Sequence, residues 1–293
     1  MSVATAWLEW GMISVLILTK NEEQDLPGCL RSVAWSDDIH VFDSFSSDRT
    51  VEIARAAGAH VSQRVFDGYA SQRNAALQTL PFRHEWLLLL DADERPTPEL
   101  VEEMRRAVEA SGPRVNAYRI PIAYFFVDGS RLRHAQTTRL FLRLVRPGRV
   151  RYEREINEVL KVEGETGDLK NEIDHFPFSR GLNHWVEKHN LYSTMEAELI
   201  ASGKFLENAS LKTALFGRTF HERRVARKAL FYRMPGRPLL KWVYMMFVQG
   251  AILDGRAGMR YANLLTLYEY LIVLKTRELE RMRIAAREER ATS

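Results

Sequence analysis

Trp86-Leu87-Leu88-Leu89-Leu90-Asp91-Ala92-Asp93-Glu94 is the stretch whose reading decides the fold. Four leucines are too few for a long helix and too apolar for a loop. They read as a short strand buried on both faces, as in a parallel sheet. The carboxylates then stand at its C-terminal end, where open α/β sheets bind ligands. The two-residue period of a strand points Asp91 and Asp93 the same way. Two carboxylates on one side repel each other unless a cation or hydrogen-bond donors neutralise them. A hard divalent ion that also holds a substrate phosphate would do this. The competing reading is an acidic helix N-terminus, because Pro96 and Pro98 follow and negative charge is favourable there.

Working outward, Ile13–Leu18 reads as a buried strand ending in Thr19-Lys20-Asn21-Glu22, with a helix following through about Val33. A second strand spans Asp38 to Asp43, and a helix Val51 to Ala57 is ended by Gly58. His60–Val65 is a third strand, Ala70–Thr79 a helix, and the leucine strand comes next, followed by a helix Glu99–Ala110. Strand and helix alternating at this spacing predict a parallel, doubly wound α/β sheet. Val115–Phe126 and Thr138–Val145 are later strands with a different rhythm. Gly181–Gly203 reads as a helix, and the chain from Leu211 onward as helices broken near Pro235-Gly236 and near Gly255 to Gly258.

The 293 residues allow one large domain or two small ones. The composition, 46% hydrophobic and 27% charged, is that of a soluble globular protein. The single cysteine, Cys29, excludes an intrachain disulfide and reads as buried filler. Residues 1–11 lack the features of a signal peptide, and no run reaches the length of a spanning helix, so a cytoplasmic location is expected. The net charge of +4 hides an asymmetry: from His175 onward there are 20 Lys+Arg against 11 Asp+Glu, so the first part is acidic and the tail basic. No zinc-type spacing, helix-turn-helix signature or internal repeat is visible. The absence of G-x-G-x-x-G after the first strand argues against a dinucleotide, and the absence of a GK[ST] loop against an ATPase.

The first strand ends in Thr19, Asn21 and Glu22 and the second in Asp43 and Ser44, donors and acceptors that suit a nucleobase and ribose. Taken singly, such residues are turn formers and caps. Four blocks in order carry more: ISVLILTKNEEQDLPGCLRSV (13–33), VFDSFSSDRTVEIA (41–54), FDGYASQRNAAL (66–77) and WLLLLDADERPTPEL (86–100). Together they resemble the GT-A glycosyltransferases of family 2, and within them bacterial enzymes of the lipopolysaccharide-core β-1,4-glucosyltransferase type. Weaker resemblance continues in Ile156-Asn-Glu158-Val-Leu, where Asn157 replaces the family's usual His, and in Gly250 to Gly258.

The resemblance implies a GT-A fold with a helical C-terminal extension and a role for each matching position. Thr19, Asn21, Glu22 and Asp43 would cradle the nucleoside, uridine above others. Gln72, Arg73 and Asn74 would lie near the nucleotide, with Arg73 on the diphosphate or base. Asp91 would face the nucleoside or sugar, and Asp93 would ligate Mg²⁺ or Mn²⁺, which neutralises a diphosphate leaving group as a Lewis acid. Glu158 would be the base that an inverting transfer needs at the acceptor hydroxyl, with Glu155 and Glu153 as alternatives. His175 would complete the metal site or be an ordinary packed histidine.

The expected organisation is a catalytic segment 1–210, with a nucleotide-sugar half about 11–110 and an acceptor half about 111–210, and a basic extension 211–293. Arg218 to Lys241 holds eight basic residues and one acid, Glu222, and Trp242-Val-Tyr-Met-Met-Phe-Val248 follows directly. Cations beside an aromatic, Met-rich run suit an anionic membrane surface; a core helix with a solvated basic face is the alternative. No nucleic-acid module is visible. The expectation is thus an inverting enzyme moving a hexose from a nucleotide-sugar donor to a glycan or lipid-linked acceptor, peripheral at the inner membrane face. Its rivals are a sugar-phosphate nucleotidyltransferase, which should show a Gly-rich loop that Thr19–Leu26 lacks, and a non-catalytic membrane-surface binding protein.

Overall fold

The computed structural model describes residues 12–136, 140–153, 159–203, 210–217 and 220–292. By its contacts the chain divides into two compact units, residues 1–125 with 138–180 and residues 126–137 with 181–293.

The first unit opens with β1 (Ile13–Thr19), α1 (Leu26–Ser32), β2 (Ile39–Asp43), α2 (Thr50–Ala56), β3 (His60–Gln63), α3 (Tyr69–Thr79) and β4 (Trp86–Asp91). It continues with β5 (Glu94–Pro96), α4 (Pro98–Glu109) and β6 (Val115–Phe125). The short β7 (Arg131–Leu132) falls in the second unit. The first unit then resumes with β8 (Leu140–Val145), β9 (Val150–Glu153), β10 (Val159–Val162), β11 (Glu165–Asp168) and β12 (Ile173–His175). The main sheet runs β3-β2-β1-β4-β8-β6-β12-β5, with β11 also on β6, while β9 and β10 form a separate hairpin. Strands β1 to β4 are parallel and β8 is antiparallel to β4. This is the α/β, mostly parallel GT-A arrangement expected from the sequence.

The leucine strand is buried on both faces. Leu88 and Leu90 join Val15 and Ile17 in one core cluster, while Leu87 and Leu89 join Leu16 in another. Each such side chain contributes about 1.5–3 kcal/mol by leaving water, so β1 and β4 are central from their composition alone. Strand β1 pairs with β2 on one side and β4 on the other. The chain therefore reverses its direction of winding at β1/β4, the place where such sheets open a crevice.

One expectation is corrected here. The leucine strand stops at Asp91, and Ala92-Asp93 is a turn into β5. Strand periodicity therefore does not align Asp91 with Asp93. The helix-terminus alternative does not hold either: α4 starts at Pro98 and is capped by Thr97, whose side chain accepts from the Leu100 N–H, and its first-turn acid is Glu99.

The second unit is mainly helical, with α5 (Gly181–Ala201), α6 (Leu211–Phe216), α7 (Phe220–Arg233), α8 (Arg237–Val243) and α9 (Gly255–Thr292). Helix α5 falls in this unit. The second predicted break reaches only the start of its expected place: Gly250 and Gly255 take positive φ and α9 begins at Gly255, whereas Gly258 is inside α9. Its missing side chain is required there, because a Cβ would collide with the Ala251 carbonyl oxygen and would lie 2.7 Å from the Asp254 Cβ. Asp254 accepts from the backbone N–H groups of Arg133, His134 and Ala135 at 2.7–3.1 Å and from His134 Nδ1 at 2.8 Å, fixing the 133–135 segment.

Candidate active site

The C-terminal ends of β1, β2 and β4 lie level, with Thr19 paired to Asp43 and Leu18 to Asp91. The sheet register thus brings the predicted polar residues to one edge. Thr19 Oγ1 donates to Asp43 Oδ1 at 2.9 Å, and the Ser46 hydroxyl reaches the same oxygen. Asp43 Oδ2 accepts from the Ser46 N–H at 2.8 Å and from Gln63 Nε2 at 2.9 Å. Burial opposes the charge on Asp43, but these donors outweigh it and hold its carboxyl below the usual carboxylate range.

The loops beyond this edge are held in unusual backbone. Asn21 and Phe45 have φ of 56° and 57°. Asn21 tolerates this; a bulky aromatic does so only when its surroundings impose it. The imposing contacts are visible. Asn21 donates its N–H to Ser46 Oγ and accepts the Ser47 N–H, each at 2.8 Å. Lys20 Nζ donates to the carbonyls of Ser44 and Phe45 at 2.8 and 2.6 Å. Phe45 is left 50% exposed at the mouth. Glu22 donates its N–H to Thr50 Oγ1 at 2.7 Å, and its carboxylate accepts from Arg180 at 3.3 Å.

Helix α3 supplies the next residues. Gln72 is buried, its amide donating to Ser44 Oγ at 3.1 Å and accepting from Arg64 at 2.8 Å. Asn74 makes a two-way pair with the Tyr152 backbone at 2.8 Å in each direction, fastening β9. Along this flank runs an open cleft of about 560 Å³, lined by Arg64, Ser71, Asn74, Gln78, Arg151 and Glu153 among others. Arg73 donates to Asp91 Oδ1 at 3.1 Å and lies over the Tyr152 ring.

Asp91 has a second partner that sequence reasoning missed. Arg143, on β8, donates to Asp91 Oδ2 at 3.1 Å and to Glu94 Oε1. Glu94 in turn accepts the Asp91 N–H at 3.0 Å. Burial works against charge on Asp91, yet Arg143 and Arg73 drive its carboxyl well below the carboxylate range. Glu94, only 1% exposed, goes the other way: burial raises it to about 7, although Arg143 opposes the shift. Arg143 is held strongly protonated by the two carboxylates despite its own burial. Nothing local to Arg143 signals this role, since it depends on β8 becoming the neighbour of β4. Cys29 is fully buried, and burial lifts its thiol far above the ordinary value, so it is inert filler beside this cluster.

Asp93 is brought to His175, whose Nε2 lies 3.1 Å from Asp93 Oδ2. The β12/β5 pairing sets His175 opposite Glu94. Burial disfavours charge on the imidazole, but Asp93 outweighs it and raises the pKa. The ring lies 5.0 Å from that of Tyr124, and its Nδ1 is buried without a hydrogen-bond partner. Among the described residues no group of three or more His, Cys, Asp or Glu is arranged to hold a metal. Asp93 and His175 supply one oxygen and one nitrogen, a donor pair that fits an ion taking its remaining ligands from a diphosphate and water. Glu158, the expected base, lies outside the described residues, as does Glu155; Glu153 is at the end of β9, within 3.4 Å of Lys161 Nζ.

The sequence pattern of Glycosyl transferase family 2 matches residues 14–166. An uncharacterized glycosyltransferase of Rickettsia prowazekii is 28% identical over 221 residues, covering 69% of this chain and 73% of that protein. A lipopolysaccharide core biosynthesis glycosyltransferase of Rhizobium meliloti is 29% identical over 202 residues, covering 66% of this chain and 73% of its own. Among solved structures, glucosyl-3-phosphoglycerate synthase from Mycobacterium tuberculosis, in complex with Mn²⁺, UDP and glucosyl-3-phosphoglycerate, is similar at 22% identity with a TM-score of 0.33. That likeness covers 41% of this chain and less than half, 46%, of the synthase. The family match spans more than half of the 293 residues and takes in the edge built from Thr19, Asp43, Arg73, Asp91 and Arg143, and the chain belongs to glycosyl transferase family 2.

Proposed function

We propose that this glycosyltransferase moves a hexose from a UDP-sugar to a hydroxyl of a glycan or glycolipid, inverting the anomeric carbon in one in-line displacement. One observation carries the reading: Thr19, Asp43 and Asp91 stand together at the β1/β4 switch point, and Asp93, beside His175, stands in the turn that follows. Asp91 offers acceptors for a nucleoside, and Asp43, satisfied by Thr19, Ser46 and Gln63, fixes the loop that frames it. Asp93 and His175 offer ligands for Mg²⁺ or Mn²⁺, which when bound would act as a Lewis acid on the leaving diphosphate. Arg73 and Arg143 fix the Asp91 carboxylate in its charged form, so it accepts hydrogen bonds from the donor without reorganising. Glu158 is the proposed base, drawing the proton from the acceptor hydroxyl.

The name of the Rhizobium relative supports an acceptor of the lipopolysaccharide-core class. A lipid-linked acceptor would be met at the inner face of the cell membrane, with the protein peripheral to an anionic surface. No described helix is long and apolar enough to cross a membrane.

The test is thermal unfolding with UDP, with and without Mn²⁺, followed by transfer assays. Ligand that binds only the folded protein raises its unfolding midpoint. The parent should respond to UDP more strongly with Mn²⁺ present, and Asp93→Ala should lose that increment. Glu158→Gln should lower turnover by about 10²-fold or more with donor binding nearly unchanged. Equal UDP responses in Asp93→Ala and the parent would sink the metal assignment, and a collapse of donor binding in Glu158→Gln would sink the base.

A further inference from the structure

Over Leu239 to Leu253, on α8 and the turns after it, apolar residues face solvent in pairs. These are Leu239 with Leu240, Val243 with Tyr244, Phe247 with Val248, and Ile252 with Leu253. Phe247, Val248 and Leu253 are 62%, 70% and 71% exposed. Met245, Met246 and Ala251, which lie between these pairs, are buried, as is Arg237 just before them. A surface helix ordinarily turns polar groups outward; here the outer face is as apolar as the inner. The spacing also needs explaining, because four residues of α-helix turn about 400°, so pairs four apart drift by about 40° at each step. The π turn Tyr244–Val248 winds less per residue and offsets that drift for the first three pairs; the fourth, five residues on, follows the turn at Gly250.

A continuous apolar surface of this kind marks a partner, and the surrounding charge says which. From residue 223 to residue 268 there are nine Lys+Arg and one acid, Asp254. The Asp254 side chain is 3% exposed and engaged by His134 and three backbone N–H groups. Arg233 and Arg256 are exposed, and Arg260 stands 4.0 Å from the exposed Asp128 carboxylate. An apolar ridge on a chain segment that shows cations and no open carboxylate suits the boundary between acyl chains and anionic headgroups. Trp242 and Tyr244 suit that depth.

The cations of the Arg218–Lys241 run are a poorer agent of docking than their number suggests. Arg223 donates to the Gly217 carbonyl and Arg227 to that of Ala214. Lys228 pairs with Glu196, and Arg237 with the buried Glu269. These four hold the helical unit together.

We infer that the Leu239–Leu253 ridge inserts into the interface of an anionic lipid bilayer and is the element that holds the enzyme there. This rests on the membrane-facing part of the function proposed above and makes apolar burial, rather than charge, the holding force. The test is co-sedimentation of the full chain with phosphatidylcholine vesicles containing phosphatidylglycerol, for the parent and for Leu239→Ser/Phe247→Ser/Leu253→Ser. The parent should sediment and keep most of its binding as salt rises from about 0.1 to about 0.5 M, because ions screen charge and not apolar burial. The triple variant should lose at least ~30-fold in vesicle partitioning. All three side chains are exposed, so its unfolding midpoint should match the parent's.

A parent that does not sediment, a parent released by salt, or a triple variant that sediments as well as the parent would overturn the inference. So would a parent dimer, seen without lipid, that the triple variant dissociates, because the ridge would then be a contact between copies. Release of UDP from a UDP-sugar with a soluble acceptor separates the two readings. Vesicle binding without donor turnover defeats the catalytic proposal and leaves the ridge standing; turnover without vesicle binding does the reverse.

Discussion

Asp43→Asn tests whether the carboxylate at the end of β2 builds the nucleoside edge. An ionised carboxylate offers about four acceptor positions, and Thr19, the Ser46 hydroxyl, the Ser46 N–H and Gln63 occupy them. Asparagine keeps the shape but turns one oxygen into a donor. The Thr19 and Ser46 hydroxyls can rotate to accept from it while the remaining oxygen still serves the Ser46 N–H and Gln63, so the variant should fold. Hydrogen bonds to a charged acceptor contribute about 1.5–3 kcal/mol against about 0.5–1.5 for neutral pairs, so four bonds lose roughly 4 kcal/mol together. Burial, which works against the charge on Asp43, is relieved in the variant and offsets part of that. The expected net loss is ~1–2 kcal/mol at neutral pH.

The pH dependence has a definite sign. Asp43 titrates below its ordinary 3.8 in the folded protein. Its contribution is therefore complete above the unfolded value and is lost as pH falls through the folded one. Urea unfolding of parent and variant should show a gap that is level from about pH 8 to about pH 5 and narrows below about pH 4. A gap that stays level or widens toward acid would refute the reasoning.

Arg143→Met should destabilise the protein by ~3–5 kcal/mol in urea unfolding, because it strands the buried Glu94 and removes one of the partners of Asp91; a loss under about 1 kcal/mol would mean that the pairing contributes little. Gly258→Ala should cost ~2 kcal/mol or more through its collision with Ala251. Gly112→Ala, where a Cβ meets open space, is the control and should unfold like the parent.

The periodic parts of this protein were legible in its residues. The apolar runs of β1 and β4, the alternation of strands with helices, and the polar tips at Thr19 and Asp43 are local patterns, and local patterns survive in a linear reading. The register then needed only β1 to lie between β2 and β4, which the doubly wound alternation implies. What meets the carboxylates was decided elsewhere. Arg143 stands 52 residues beyond Asp91, and His175 stands 82 beyond Asp93. Which cation meets which acid depends on β8 and β12 becoming neighbours of β4 and β5, and no periodicity records that. The turn at Ala92-Asp93 was hidden for the same reason, because strand propensity continues past the point where β5 leaves to pair with β12. In the tail, charge suggested a surface of cations. Only the packing showed that Arg223, Arg227, Lys228 and Arg237 are engaged internally while Leu239 to Leu253 carries its apolar side chains outward. Composition names the side chains in a helix, but the partners packed against it determine which face is left to the solvent.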